Sequence, residues 1–417
     1  MLTHKMRSQA TTDLKKIPVL VHAAIATILF CVATVGYAEH VEFGQFFAGV
    51  NDFLPRYTQA RMVGSQQMFS IKAGYREQER IFRFHIDGAY HDRFPWQALL
   101  MAPLGRLPYL WAYWIWVGLS LAAFAGLVWT WLLPRDCVLW GAVFLPMAAC
   151  LIMGQDTILL ALCLAGVLRL AEKRREIAAG LILALCTAKP HLFLLVPLAL
   201  IAHRRWRIVS SAALGTLGLL IVGTAAAGLA WPLRWWAVVQ SVGSNSVANV
   251  ATRPSVFQFG MQSWTIALAL ALAIAFGALI WCSRTLETGV ALAVIGSILI
   301  APHSAIYDLP LLLVALPALP LVTCGRWLRI ALFTPFPYWA LLNGAPWSMT
   351  VPLMLIATVG VCAWGPRRAP QGPGIEQTPG WKLGRRAFGS GDQGGPRGPL
   401  IASRRGPDRA RSESPGL

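Results

Sequence analysis

Charge is what this sequence has least of. Only 13% of its 417 residues are Asp, Glu, Lys or Arg, against 56% that are hydrophobic. A soluble chain needs roughly 25% charged residues to cover its surface, so a water-soluble globular enzyme is excluded. Acids are the scarcer sign, 18 against 36 basic residues. No RNP, zinc-finger or helix-turn-helix pattern accompanies the basic excess, which argues against a nucleic-acid partner. The eight cysteines lie inside or at the ends of apolar runs and form no Cys-x-x-Cys pair, so neither a zinc site nor a disulfide framework is indicated. Walker-type loop, GxSxG, HExxH and Rossmann fingerprint are all missing. A nucleotide-using domain is therefore not expected, and no cofactor is indicated. Whatever reacts must arrive through a membrane or from its far side.

What the chain has is apolar length. Long runs recur from IPVLVHAAIATILFCVATVGYA (17–38) to VPLMLIATVGVCAW (351–364), the pattern of an all-α polytopic integral membrane protein. Between them come runs at 109–133, 137–153, 157–171, 177–187, 192–202, 208–230, 262–282, 286–301, 309–324 and 328–342. The expectation is a bundle of about twelve transmembrane or re-entrant helices. Several runs are shorter than the roughly 20 residues an ideal span needs, so broken segments lining a cavity are expected around 150–200, where Pro146, Pro190 and Pro197 stand. Basic residues precede the first run with no clean cleavage site, which reads as an uncleaved helix after a cytoplasmic N-terminus, 1–16. The membrane domain covers 17–364, with a large extracytoplasmic loop at 39–95. The basic, Gly/Pro-rich stretch 365–417 reads as a disordered cytoplasmic tail.

Loop charge sets the orientation. With the N-terminus in the cytoplasm, PRD (134–136), EKRRE (172–176), HRRWR (203–207), Arg284, GRWLR (325–329) and GPRR (365–368) fall on the inner side. GQD (154–156), AKPH (188–191), PHSAIYD (302–308) and NGAPW (343–347) fall outside, with one Lys and no Arg among them. Asp52, Asp156, Lys189 with His191, and His303 with Asp308 then share one membrane face.

Each has a bland reading beside a chemical one. Asn51-Asp52 is a good helix start, yet a carboxylate at the mouth of an apolar cavity also suits proton abstraction from a hydroxyl. Gln155 and Asp156, between Gly154 and Thr157, fit a tight turn between hairpinned helices or a substrate contact. Lys189, flanked by apolar sequence, either snorkels to the interface or meets an anion such as phosphate, with Pro190 breaking the helix beside it. His303 and Asp308 fit either a loop or a site. Asp52, Asp156 and Asp308 together are enough to share a divalent cation, and the sequence leaves metal use open.

The order of motifs is more specific than any one of them. An Asp-Phe pair follows the first run, then an aromatic-Pro element leads into ALLMAPLGRLP and a Trp-rich span. Gly-Gln-Asp, Lys-Pro-His and a late Tyr307-Asp308 follow. This order resembles glycosyltransferase family 87, the polyprenol-phosphate-mannose-dependent mannosyltransferase type of the GT-C superfamily. The family often shows Tyr-Pro-Pro where Phe94-Pro95-Trp96 stands, Asn at Asp156 and Gln at His191. The resemblance implies a GT-C-like bundle in a bacterial inner membrane, acting on its periplasmic face. It implies inverting transfer of a hexose, mannose by family default, from a polyprenyl monophosphate to a hydroxyl on a lipid or glycan acceptor. Asp52 then corresponds to the general base. Lys189, His191 and His303, with Arg56 and Arg61, are the candidates for the leaving phosphate, and Gln155, Asp156, Tyr307 and Asp308 for substrate contacts. Rival readings are a lipid or solute transporter, or another GT-C enzyme with a different lipid-linked donor.

Overall fold

The computed structural model describes residues 47–85, 93–133, 141, 143–245, 252–319, 323–344 and 346–364. Among them every regular element is helical, as the apolar runs predict. The expected N-terminal segment 1–16, the first run 17–38 and the tail 365–417 lie outside the described residues. In chain order the helices are α1 (Phe53–Arg61), α2 (Ile71–Phe82), α3 (Pro95–Gly105), α4 (Tyr109–Leu127), α5 (Leu145–Ile152), α6 (Thr157–Glu172), α7 (Glu176–Leu185) and α8 (Val196–Ala202). They continue as α9 (Trp206–Ala227), α10 (Trp231–Asn245), α11 (Ser263–Trp281), α12 (Leu286–Ile300), α13 (Leu312–Ala318), α14 (Thr323–Phe333), α15 (Phe336–Leu342) and α16 (Thr350–Trp364).

Three stretches among the described residues are long and apolar enough to cross a membrane: Tyr109–Leu132, which is α4 with its π-helical extension, then α9 and α11. Each agrees with a predicted run to within a few residues. Among the described residues the other runs form helices shorter than these three. The expected 309–324 span is a 3-10 turn, Ile306–Leu311, joined to α13. The expected 328–342 span divides into α14 and α15. Proline explains both: Pro310 and Pro335 each remove a backbone donor and clash with the preceding turn. Among the described residues three helices are thus of spanning length, and the expected total of about twelve transmembrane or re-entrant helices is not confirmed.

Small residues decide how closely the helices approach. Gly180 on α7 sits against α9 so tightly that a Cβ there would come within 2.5 Å of the Ile208 carbonyl and 2.8 Å of the Ala212 nitrogen. One turn along each helix, Gly215 touches Ala184 in the same way. Lipid chains are as apolar as Leu, so such close backbone contact, rather than exclusion of water, holds spans together. α6, α12 and α13 form the buried centre, where nearly every side chain of α12 is inaccessible.

Two of the basic turns use the same backbone device. Arg174 and Arg204 adopt left-handed φ of 58° and 55° just past α6 and α8. The following amides, Arg175 and Arg205, bond back to Leu170 and Leu200 at 2.9 and 2.8 Å. This six-to-one closure satisfies the last helix carbonyls and reverses the chain within a few residues.

Candidate active site

The site is assembled where α1, the α5–α6 turn, the break after α7 and the turn before α13 meet. At the head of α1 it is Asn51, not Asp52, whose side chain does the local work. Asn51 Oδ1 accepts from the Phe53 amide at 3.0 Å, while its Nδ2 donates to the Ile152 carbonyl at 2.8 Å and to Tyr113 at 3.2 Å. Phe53 is fully buried among Tyr57, Tyr109, Tyr113 and Trp116. These anchors leave Asp52 at the N-cap position with no capping hydrogen bond. Its carboxylate accepts instead from Gln155 Nε2 across the site. The helix-cap reading of Asp52 therefore fails on geometry.

The GQD turn is built to receive α1. Gly154 closes α5 with φ of +64°, and a Cβ there would come within 2.9 Å of both Asn51 Oδ1 and Phe53 Cβ. Only glycine meets both demands. Its carbonyl accepts from Arg56 at 2.7 Å and from Trp116 Nε1 at 2.9 Å. The next residue, Gln155, is 3% exposed. Its side-chain oxygen accepts from Arg56, from Lys189 at 3.0 Å and from Arg93 at 3.4 Å.

Lys189 stands in the break that Pro190 makes between two 3-10 turns. It is 3% exposed, so it does not snorkel to the interface. Its ammonium reaches Asp308 Oδ1 at 2.6 Å, Thr157 Oγ1 at 2.9 Å and Asp156 Oδ1 at 3.3 Å, with the Tyr307 ring 5.5 Å away. Asp156 also lies 3.5 Å from Arg56. Burial alone would raise the Asp156 pKa, but the Arg56, Lys189 and Arg93 charges outweigh it and hold the carboxyl well below its ordinary value. Asp308 serves twice, because its other oxygen accepts from the Ala305 amide at 3.0 Å and starts the 3-10 turn. His191 and His303 face each other edge to face at 6.4 Å, and the buried His191 Nε2 has no hydrogen-bond partner.

Nine of the ten residues singled out in the sequence thus lie in or beside one network. Arg61 is the exception. It is at the far end of α1, bonded to Glu77 at 2.7 Å and to the Gly105 carbonyl at 3.2 Å. Among the described residues, no cluster of three His, Cys, Asp or Glu side chains suited to a metal ion is formed. Lys189 holds the place between Asp156 and Asp308 that a shared cation would need. Sequence reading missed Arg93 and Asn51 as members. Arg93 carries no local signal beyond standing just ahead of the Phe94-Pro95 helix start.

The family model of glycosyltransferase family 87 matches residues 95–304, half of the chain. The chain belongs to glycosyltransferase family 87. It is accordingly a membrane-associated transferase with a sugar donor and an acceptor, and not a carrier that moves its solute unchanged. The matched span holds Gln155, Asp156, Lys189, His191 and His303. Tyr307 and Asp308 of this transferase lie just after it and Asp52 and Arg56 well before it, and all four join the site through the contacts above. No curated protein and no solved structure matches the chain.

Proposed function

We propose that the protein transfers a hexose, mannose by family default, from a polyprenyl monophosphate to an acceptor hydroxyl, with inversion. The reaction takes place on the extracytoplasmic face of a bacterial inner membrane, both chain ends being cytoplasmic. Asp52 is the general base. The observation that carries this is its geometry: the carboxylate heads a helix it does not cap and, among the described residues, makes no ion pair. Every other carboxylate in the network is bound to a cation. A base has to keep a lone pair available for the hydroxyl proton, and only Asp52 is so placed.

Inversion requires the hydroxyl and the leaving phosphate on opposite faces of the sugar. Asp52 takes the hydroxyl proton as the new glycosidic bond forms and the bond to phosphate breaks. The phosphate departs toward the His191–His303 side, where His191 Nε2 is an uncommitted polar atom. The Lys189 and Arg56 charges of the same network offset the charge that develops. Tyr307 and Asp308 border the sugar position. The acceptor is a lipid or a glycan.

The test is transfer of label from polyprenyl-phosphate [¹⁴C]mannose in reconstituted membranes. Asp52→Asn is expected to lower kcat by roughly 10²–10⁴-fold, the range for loss of a general base, with the protein still folded. Undiminished transfer by Asp52→Asn overturns the assignment. Label transferred only from another polyprenyl-phosphate sugar keeps the base and replaces the donor.

A further inference from the structure

Gln155 is neutral, buried and bonded on both ends to charge. Its amide oxygen receives three cations, Arg56, Arg93 and Lys189, and its amide nitrogen donates to Asp52. This is the only orientation of the amide that fits, since a flipped group would set NH₂ against three donors and an oxygen against a carboxylate. Asp52 and Arg56 stand four residues apart at the head of α1, close enough along a helix to pair directly. They do not. Arg56 is turned aside to the Gly154 carbonyl, Gln155 and Asp156.

We infer that Gln155 is a positioning residue for the base: its amide stands as a neutral spacer that keeps Arg56, Arg93 and Lys189 from capturing the Asp52 carboxylate, and aims that carboxylate into the site. A carboxylate in a direct ion pair is stabilised in its charged form and is a poorer proton acceptor. One hydrogen bond from the neutral Gln155 amide fixes the position of Asp52. The charged and titratable groups around the pair are Arg56 on the same helix, Arg93, Cys150 on α5, Asp156, Lys189, Tyr307 and Asp308. This inference rests on Asp52 being the base.

The experiment compares pH profiles of kcat for wild type, Gln155→Ala, Gln155→Glu and Asp52→Asn in the same membrane assay. In Gln155→Ala the cations face Asp52 directly, so the acid limb moves to lower pH. The loss of aim lowers kcat by about 10²-fold. In Gln155→Glu a second carboxylate meets Asp52, so the acid limb moves to higher pH. The donor KM is expected to change little in either, since both ends of the Gln155 amide are taken up by Asp52 and the three cations. Shifts in the same direction, absence of any shift, or a raised KM at unchanged kcat overturn the inference. If Gln155→Ala does not fold, Gln155→Glu decides alone, because it keeps its size and its contacts to the three cations. Activity retained in Asp52→Asn is a separate outcome, which removes the base assignment on which the inference stands.

Discussion

Removing the Lys189 ammonium while keeping its bulk, as in Lys189→Met, tests whether the network is an ion cluster or a loose polar pocket. Lys189 lies 2.6 Å from Asp308, which is essentially inaccessible, and 3.3 Å from Asp156, which is buried. After the substitution Asp156 keeps Arg56 at 3.5 Å. Asp308 keeps only the Thr157 hydroxyl at 3.2 Å and the Ala305 amide at 3.0 Å. The cost falls on Asp308, an uncompensated buried charge, and amounts to about 3–5 kcal/mol. At roughly 2 °C per kcal/mol for a chain of this size, thermal unfolding in detergent should begin about 6–10 °C lower. Lys189→Met/Asp308→Asn removes both charges together and should recover more than half of that loss. Melting of Lys189→Met within about a degree of wild type, or a double variant no more stable than the single, would refute the ion-cluster reasoning.

Gly180→Ala puts a methyl group against the backbone of α9 and should destabilise by about 1–3 kcal/mol, read as a lower melting temperature with no change in donor KM. Gly154→Ala combines left-handed strain with a clash against Asn51 and Phe53, so roughly 2–4 kcal/mol of stability and most of the transfer activity should be lost together. For pH, the sign follows from Asp156, whose folded-state pKa is depressed below the ordinary 3.8. Its contribution to stability is complete above that ordinary value and fades as pH falls through it toward the lower folded value. Unfolding temperature should therefore change little from this group between neutrality and pH 5 and drop below pH 4. In Asp156→Asn that acid-dependent drop should be smaller.

Much of the architecture was legible because membrane insertion is written in composition. Residues 109–133, 208–230 and 262–282 could be picked out as spans since no short-range competitor to a helix exists for 20 apolar residues in hydrocarbon. The runs that failed as single spans, 309–324 and 328–342, failed at prolines, whose effect on a helix is local but whose consequence for depth is not. The candidate site was legible in part for a similar reason. A base flanked by apolar sequence is costly, and Lys189 stood out on that account, while Asp156 and Asp308 stood out because loop charge put their turns on the same membrane face.

The sequence by itself determined that this is an all-helical membrane protein, which loops are basic, and which ionisable residues stand out against apolar surroundings. It also carried the order of motifs that marks the family. Only the tertiary structure decided the partners. It placed Lys189 between Asp156 and Asp308, sent Arg61 to Glu77, and set the Gln155 amide between three cations and Asp52. Pairing among charges depends on distances of a few ångströms between segments a hundred residues apart. Hydropathy and periodicity fix where a residue lies in depth, but not which neighbour it faces.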